Sequence, residues 1–416
     1  MLRFYRDNAR WLMAGLVLAL CSSFGQTFFI SLFAGHIKEI YGLTDGGWGS
    51  IYTIATLTSA AVLIQAGGLA DTMPLKRLTL LVLALYLAVV LGMMVNRSVL
   101  ILVLLIAGLR FCGQGMMSHL AVVAMGRWFV AHRGQAVAVA GLGTALGEAV
   151  LPSVVVFAIA WIGWRATWGV AGASLILFFL PILFWLLTTD RQPRGSVERD
   201  ETTGLDGRHW NRGAVLRHWL FWALLPGLLA PPFIGTSAFF HQVHISEVQG
   251  WNLAVMALGY PAYAFFAVAS TLLCGWLADR FGPVLLLPVF LLPMGVGITL
   301  IGLSDNVLSW HLMMALMGVT QGGAAAVSGT LWPHLYGTRH LGAVKALAAA
   351  AMVFATALGP GITGLAIDLG ALFPEQTIAL ALWCFVASIG FLVIRTRIGV
   401  PGAVETVAGS QVASKR

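Results

Sequence analysis

Charge is what this chain has least of. Only 10% of its 416 residues are charged and 59% are hydrophobic, where a soluble globular domain carries about 25% charged residues. That balance excludes a soluble fold. Cysteine is scarce too. The four present, Cys21, Cys112, Cys274 and Cys384, show neither a metal-ligand spacing nor a disulfide framework. No glycine loop followed by Lys and Ser/Thr is present to cradle phosphate, which argues against an ATP-driven machine. No His-plus-carboxylate cluster stands out, which argues against an intramembrane enzyme. No cofactor or metal is expected. The apolar segments lack the strand-like alternation of a membrane barrel.

What is abundant is apolar sequence in runs long enough to span a bilayer, for which about 20 residues suffice. Twelve such stretches lie near 11–34, 46–70, 78–95, 99–126, 134–160, 166–188, 219–243, 251–277, 284–304, 308–332, 341–367 and 376–395. The expected fold is therefore all-α, with twelve transmembrane helices. Arg3, Arg6 and Arg10 before the first run imitate a signal peptide. The run is too long for a signal core and no A-x-A-like site closes it, so it reads as a retained span. With both termini cytoplasmic, 20 Lys and Arg fall on the inner side and only Lys38, Arg97 and Arg165 on the outer. A bias of that size sets the orientation and accounts for the net charge of +8 without nucleic-acid binding. The expected location is the plasma (inner) membrane, with the lipid bilayer as partner and a monomer as the assembly. Many tryptophans, among them Trp11, Trp128, Trp161, Trp219, Trp310 and Trp332, fall near the ends of spans, as an interfacial belt requires.

The chain is written twice. "GGLADTM" ends the second span and "CGWLADRFG" the eighth, so that Asp71 and Asp279 are 208 residues apart. "GQG" at 113–115 matches "TQGG" at 320–323 with an offset of 207, while Gly134 with Gly342 and Pro152 with Pro360 keep 208. Two six-helix halves follow, 1–188 and 219–399, arranged as pseudo-symmetric bundles around a central cavity. Between them, 189–218 is polar and reads as a partly disordered cytoplasmic linker; 400–416 reads as a disordered tail.

These motifs resemble the major facilitator superfamily over nearly the whole chain. In its second copy Gly275, Asp279, Arg280 and Gly282 stand where the family's loop motif has them. In its first copy Gly67 and Asp71 fit, Thr72 and Pro74 replace the usual Arg and Gly, and Lys76 with Arg77 supplies the basic end. The resemblance implies secondary transport by alternating access. It also implies a gating role for Gly67, Asp71, Lys76, Arg77, Gly275, Asp279 and Arg280, whose charges pair and part as the halves rock. Within the superfamily, "RWFVAHRGQAVAVAGLGTALGEAVLP" followed by "GWRATW" is similar to the bacterial oxalate/formate and monocarboxylate branch. Oxalate carriers of that branch place cations on the eighth and eleventh helices. Here the eighth span has none and the eleventh only Lys345, near its end, which argues against a dicarboxylate.

Two charges lie deep in the membrane, each at a cost of roughly 2.5–3.5 kcal/mol: Arg110 and Glu148. Arg110 is 13 residues after Arg97 and Glu148 is 13 before Trp161, so both lie about 20 Å below the outer ends of consecutive spans. Mutual pairing is the simplest way to lower both costs. Their repeat mates, Met317 and Thr356, are uncharged, so the fold itself does not demand ions there. Arg110 and Glu148 are accordingly expected at an ion site in the cavity, where an anion on Arg110 frees Glu148 to take a proton. Gln114 follows on the face of Arg110. Gln26 and Thr27, with their repeat-related Thr236 and Ser237, are further cavity candidates, as are Tyr260 and Tyr263. His119 falls on the opposite face and is expected to pack or make a hydrogen bond. His241 and His244, near the outer mouth, read as hydrated interface residues.

The reading is a secondary transporter for a small organic solute, a monocarboxylate-like anion, coupled to protons. One alternative is a proton-antiport exporter. Against it, Glu148 replaces the proline of the family's antiporter motif, although Gly143 and Gly147 keep its spacing. A second alternative is a non-transporting receptor or assembly factor.

Overall fold

The computed structural model describes residues 2–129, 132–189 and 202–398. Among these the chain is helical, with no strand. Ten helices are long and apolar enough to span a membrane, together with one bent pair. In chain order they are α1 (Ala9–Gly25 continued by Thr27–Tyr41), α2 (Asp45–Thr72), α3 (Leu75–Val95), α4 (Val99–Trp128), α5 (Arg133–Ile162) and α6 (Trp164–Leu186). The second half contains α7 (Trp219–Phe240), α8 (Leu253–Phe281), the short apolar α9 (Leu292–Leu303), α10 (Leu308–Tyr336), α11 (Leu341–Asp368) and α12 (Phe373–Thr396).

Two of the expected spans differ in form. The first is not one rod: it tightens to a 3-10 turn over Ser22–Gly25, Gln26 is extended (φ −82°, ψ 155°), and the chain bends by 43° before running on to Tyr41. Ser22 here bonds the Ala19 carbonyl, a local competitor for the helical ladder. The ninth is helical only over Leu292–Leu303, because Pro283, Pro288 and Pro293 remove donors that a continuous helix needs. In α4, residues Arg110–Met117 form a π-helical stretch, a feature that often marks functional sites. Gly42 ends α1 at φ +62°, and Thr44 caps α2 by accepting from the Gly47 amide at 3.0 Å.

Packing pairs come in twos. α1 lies on α5 as α7 lies on α11; α2 on α4 as α8 on α10; α3 on α6 as α9 on α12. Between the halves, α2 packs on α11 and α5 on α8, which is the same contact under the repeat. The α2–α11 contact is made by glycines: a Cβ on Gly49 would intrude on the Pro360 carbonyl, and one on Gly364 would stand 2.6 Å from the Asp45 oxygen. Backbones this close need residues without a side chain, the usual device where lipid supplies no hydrophobic drive between helices.

The described part of the linker, 202–218, docks on the end of α10, where Thr202 N donates to Thr338 Oγ1 at 2.9 Å and Trp210 packs edge-on to Tyr336. A short helix, Arg212–Arg217, leads into α7, whose far end lies beside Lys38. The basic-rich and basic-poor ends of the bundle are therefore opposite, as expected. The remainder of the linker (190–201) and the expected tail lie outside the described residues.

Candidate substrate cavity and gates

A cavity of about 480 Å³ lies between the halves. Its wall includes Gln26, Thr27, Gln114, Glu148, Thr236 and Tyr263, six of the residues the sequence singled out. It also includes Gln321, Ser328 and Thr356, which were not proposed. The repeat held the signal for two of them: Gln321 is the mate of Gln114, and Thr356 that of Glu148. Met294, Met317, Leu228 and Phe239 make the wall of the second half largely apolar. Towards α2's beginning the lining is buried, at Thr27, Phe239 and Tyr263; at the other end Gln321, Ala349 and Val353 are exposed. The cavity is thus closed at one end of the bundle and open at the other.

Three expected site residues sit behind this wall. Ser237 is fully buried and bonds the Phe233 carbonyl. Tyr260 donates to Gln242 Oε1 at 3.0 Å. Arg110, 1% exposed, donates through Nη1 to the Gly25 carbonyl at 3.2 Å and to Thr27 Oγ1 at 3.4 Å, with its guanidinium 5.0 Å from the Tyr52 ring centroid.

Arg110 and Glu148 do not pair. Arg110 turns to α1 and α2, its Nε and Nη2 buried without hydrogen-bond partners. Glu148 faces the cavity, makes no hydrogen bond or ion pair among the described residues, and shares the wall with Tyr263 of the opposite half. Equal depth was a sound inference, because rise per residue fixes height along a helix. Rotation about the axis is a separate variable. The π-helical stretch beginning at Arg110 resets it, so that Gln114 reaches the cavity and Arg110 does not.

The closed end is held by polar contacts across the halves. Lys38 Nζ lies 2.9 Å from Asp45 Oδ1, and Asp45 is approached from the second half by His244 Nδ1 at 3.5 Å and His241 Nδ1 at 3.8 Å. Asp368 of α11 accepts from Thr44 Oγ1 at 2.7 Å and from the Gly46 amide at 3.1 Å. The two histidines are therefore not hydrated interface residues: they are 2% and 7% exposed. The helix Gln242–Gln249 that follows α7 tucks them beneath the first half, a turn that hydropathy does not register.

The Major Facilitator Superfamily model matches residues 15–360 and, a second time, 233–412. This chain belongs to the major facilitator superfamily. The hexuronate transporter of Escherichia coli (strain K12) is 29% identical over 169 residues, 38% of this chain and 39% of that protein. The probable sulfoacetate transporter SauU of Cupriavidus necator is 35% identical over 80 residues, 19% of each chain. The matched segments thus span about two-fifths or less of the curated relatives, and neither relative is named an oxalate or formate carrier. Crystal structures of a bacterial homologue of the human lysosomal transporter Spinster share the fold. The inward-facing, occupied form has a TM-score of 0.68 at 17% identity, covering 95% of this chain and 97% of that one; the unoccupied form has a TM-score of 0.66 at 19% identity, covering 94% and 96%. That superfamily is one of membrane transporters, not of enzymes.

The superfamily's loop residues lie at the open end. Asp71 bonds Arg127 at 2.6 Å, which ties α2 to α4 within one half rather than across the halves. Gly67 offers its carbonyl to His119 Nε2 at 3.3 Å, the hydrogen bond expected of that histidine. Lys76 Nζ stands 3.5 Å over the Phe184 ring, and Arg280 lies near the Trp276 and Phe281 rings. Asp279 has no ion pair among the described residues, and no contact of Arg77 or Gly275 marks either as a gate.

Proposed function

We propose that the protein is a proton-coupled secondary transporter of a small organic anion of the monocarboxylate kind. Its twelve helices form two six-helix bundles in the plasma membrane, with both termini cytoplasmic, and alternate access to the central cavity. The observation that carries this reading is Glu148, an acid with no ion pair among the described residues, in the wall of a cavity that is closed at one end. Two like charges 4 Å apart repel by about 4 kcal/mol at an effective dielectric of 20, nearly a thousandfold in affinity. An anion therefore enters this cavity only with a proton on Glu148, and loss of that proton expels it. Arg110 adds to this from behind the wall, since its field reaches the cavity through Thr27, whose hydroxyl it holds. The amides of Gln26, Gln114 and Gln321 supply neutral donors. With the basic-rich end in the cytoplasm, the open end faces inward. The named substrates of the relatives, a hexuronate and sulfoacetate, are organic anions and serve as probes.

The test uses protein reconstituted in liposomes. A proton gradient should drive probe accumulation in the wild type. Glu148→Gln, once shown to fold, should still exchange probe for probe and lose gradient-driven accumulation. Accumulation that survives Glu148→Gln undiminished refutes the coupling role. Extrusion of probe against inward proton flow would mark antiport instead.

A further inference from the structure

Between the cavity and the closed end stands one buried amide, Gln242, 1% exposed. It belongs to the second half, the residue after His241. Its Nε2 donates across the halves to Ser31 Oγ at 2.8 Å and stands 3.5 Å from the Phe28 carbonyl. Its Oε1 accepts from Tyr260 at 3.0 Å. Both sides of the amide are thus engaged, one by α1 and one by α8. Tyr260 in turn stacks on Phe239 at 5.4 Å, and Phe239 meets Tyr263 edge-on at 5.2 Å. Phe28, Phe239 and Tyr263 all belong to the cavity wall at its closed end. Tyr263 shares that wall with Glu148, and α8, which carries both tyrosines, packs on α5, which carries Glu148.

We infer that Gln242 is a positioning residue for alternating access: an inter-half latch through which the roof of the cavity, and Glu148 beside it, governs opening of the closed end. The inference rests on the coupling reading of Glu148 given above. An amide suits this role because both its ends bond and neither carries charge. When the halves part, its bond to Ser31 must break and its bond to Tyr260 can persist, so the latch stays with the second half. The helix that carries Glu148, α5, packs on α8, which carries Tyr260, and a change of charge on Glu148 acts on the Tyr260 hydroxyl across that contact. Tyr260 donates to Gln242, and a hydroxyl drawn towards an ionised carboxylate leaves that acceptor. The amide is then free to turn from Ser31. The apolar ring stack of Phe28, Phe239 and Tyr260 gives a substrate a second handle on the same latch, since any molecule seated against Phe28 and Phe239 presses on its neighbours.

The probe is Ala357→Cys in the full-length protein in liposomes, with the native cysteines blocked or replaced. Ala357 is fully buried and its carbonyl is held by Thr53 across the α2–α11 contact, so a water-borne maleimide reaches it when the halves separate there. Loss of one partner of a buried hydrogen bond should raise the labelling rate in Gln242→Leu and in Ser31→Ala roughly tenfold. Glu148→Gln should change labelling in the wild-type background and leave it unchanged in Tyr260→Phe. Monodisperse elution of each variant guards against misfolding. Unaltered labelling in both Gln242→Leu and Ser31→Ala overturns the latch; an effect of Glu148→Gln that survives Tyr260→Phe overturns the route through the tyrosine. Failure of the coupling reading has a different signature, proton-driven uptake intact in Glu148→Gln, and leaves the Gln242 and Ser31 results standing.

Discussion

Substituting Gly49 by alanine places a single methyl group where the two halves meet. Its Cβ would stand 2.9 Å from the Pro360 carbonyl carbon and closer to the oxygen, whereas ordinary contact begins near 3.4 Å. The neighbour is backbone in mid-helix and cannot swing aside, so α2 and α11 must part by at least 0.5 Å, the difference between those distances. Overpacking of this kind costs about 1–3 kcal/mol. In a static bundle the whole cost would appear as lost stability. In a carrier it falls on the closed state alone, because the opposite state separates these two surfaces. The equilibrium then shifts by roughly 5- to 150-fold towards opening at this end. Two measurements separate the cases: the rate at which a cysteine at Thr53 is modified from that side, and the melting temperature in detergent. The expected result is a large rise in modification with little change in melting. A drop in melting with unchanged modification would refute the reasoning, since it would mean that the α2–α11 contact never opens.

Further outcomes follow from the same geometry. Arg110→Met removes two buried nitrogens without partners but also the bond to the Gly25 carbonyl at the bend of α1, so the melting temperature should change by no more than the few degrees that about 1–3 kcal/mol produces; anion binding, followed by calorimetry, should fall sharply. Asp71→Asn removes an ion pair whose side chains are 77% and 41% exposed, so it should change open-end accessibility less than about fivefold, the range of an exposed pair. His241, one residue beyond α7, is pushed below its ordinary value of 6.5 by burial, against the pull of Asp45. The closed state therefore binds the proton less readily than the open one. Closure, fully stable above that ordinary value, should weaken as the pH on that side falls below it. Lys38, Asp45, His244 and Glu247 surround this site, so the comparison is His241→Gln, which should flatten the pH dependence of labelling at that end; an identical profile in the variant would assign it elsewhere.

The membrane class and the superfamily were legible in the sequence. They depend on composition and spacing, and both are linear properties of the chain. The repeat even marked Gln321 and Thr356, since mates in a two-fold arrangement face the same cavity. Height along each helix was legible as well, because every helical residue rises by about the same amount. Which way each points was decided only by tertiary structure. A π-helical stretch in α4 and a break at Gln26 in α1 rotate whole faces, and neither leaves a trace in hydropathy. Arg110 consequently holds the bend of α1 while Glu148 stands alone in the cavity. The Asp45 cluster and Gln242 were out of reach for another reason. Each has a partner in the opposite half, far away in the chain, 211 residues in the case of Gln242 and Ser31. A single polar residue near the end of a span looks the same in sequence whether water or the opposite half receives it. Only the closing of one half on the other decides that.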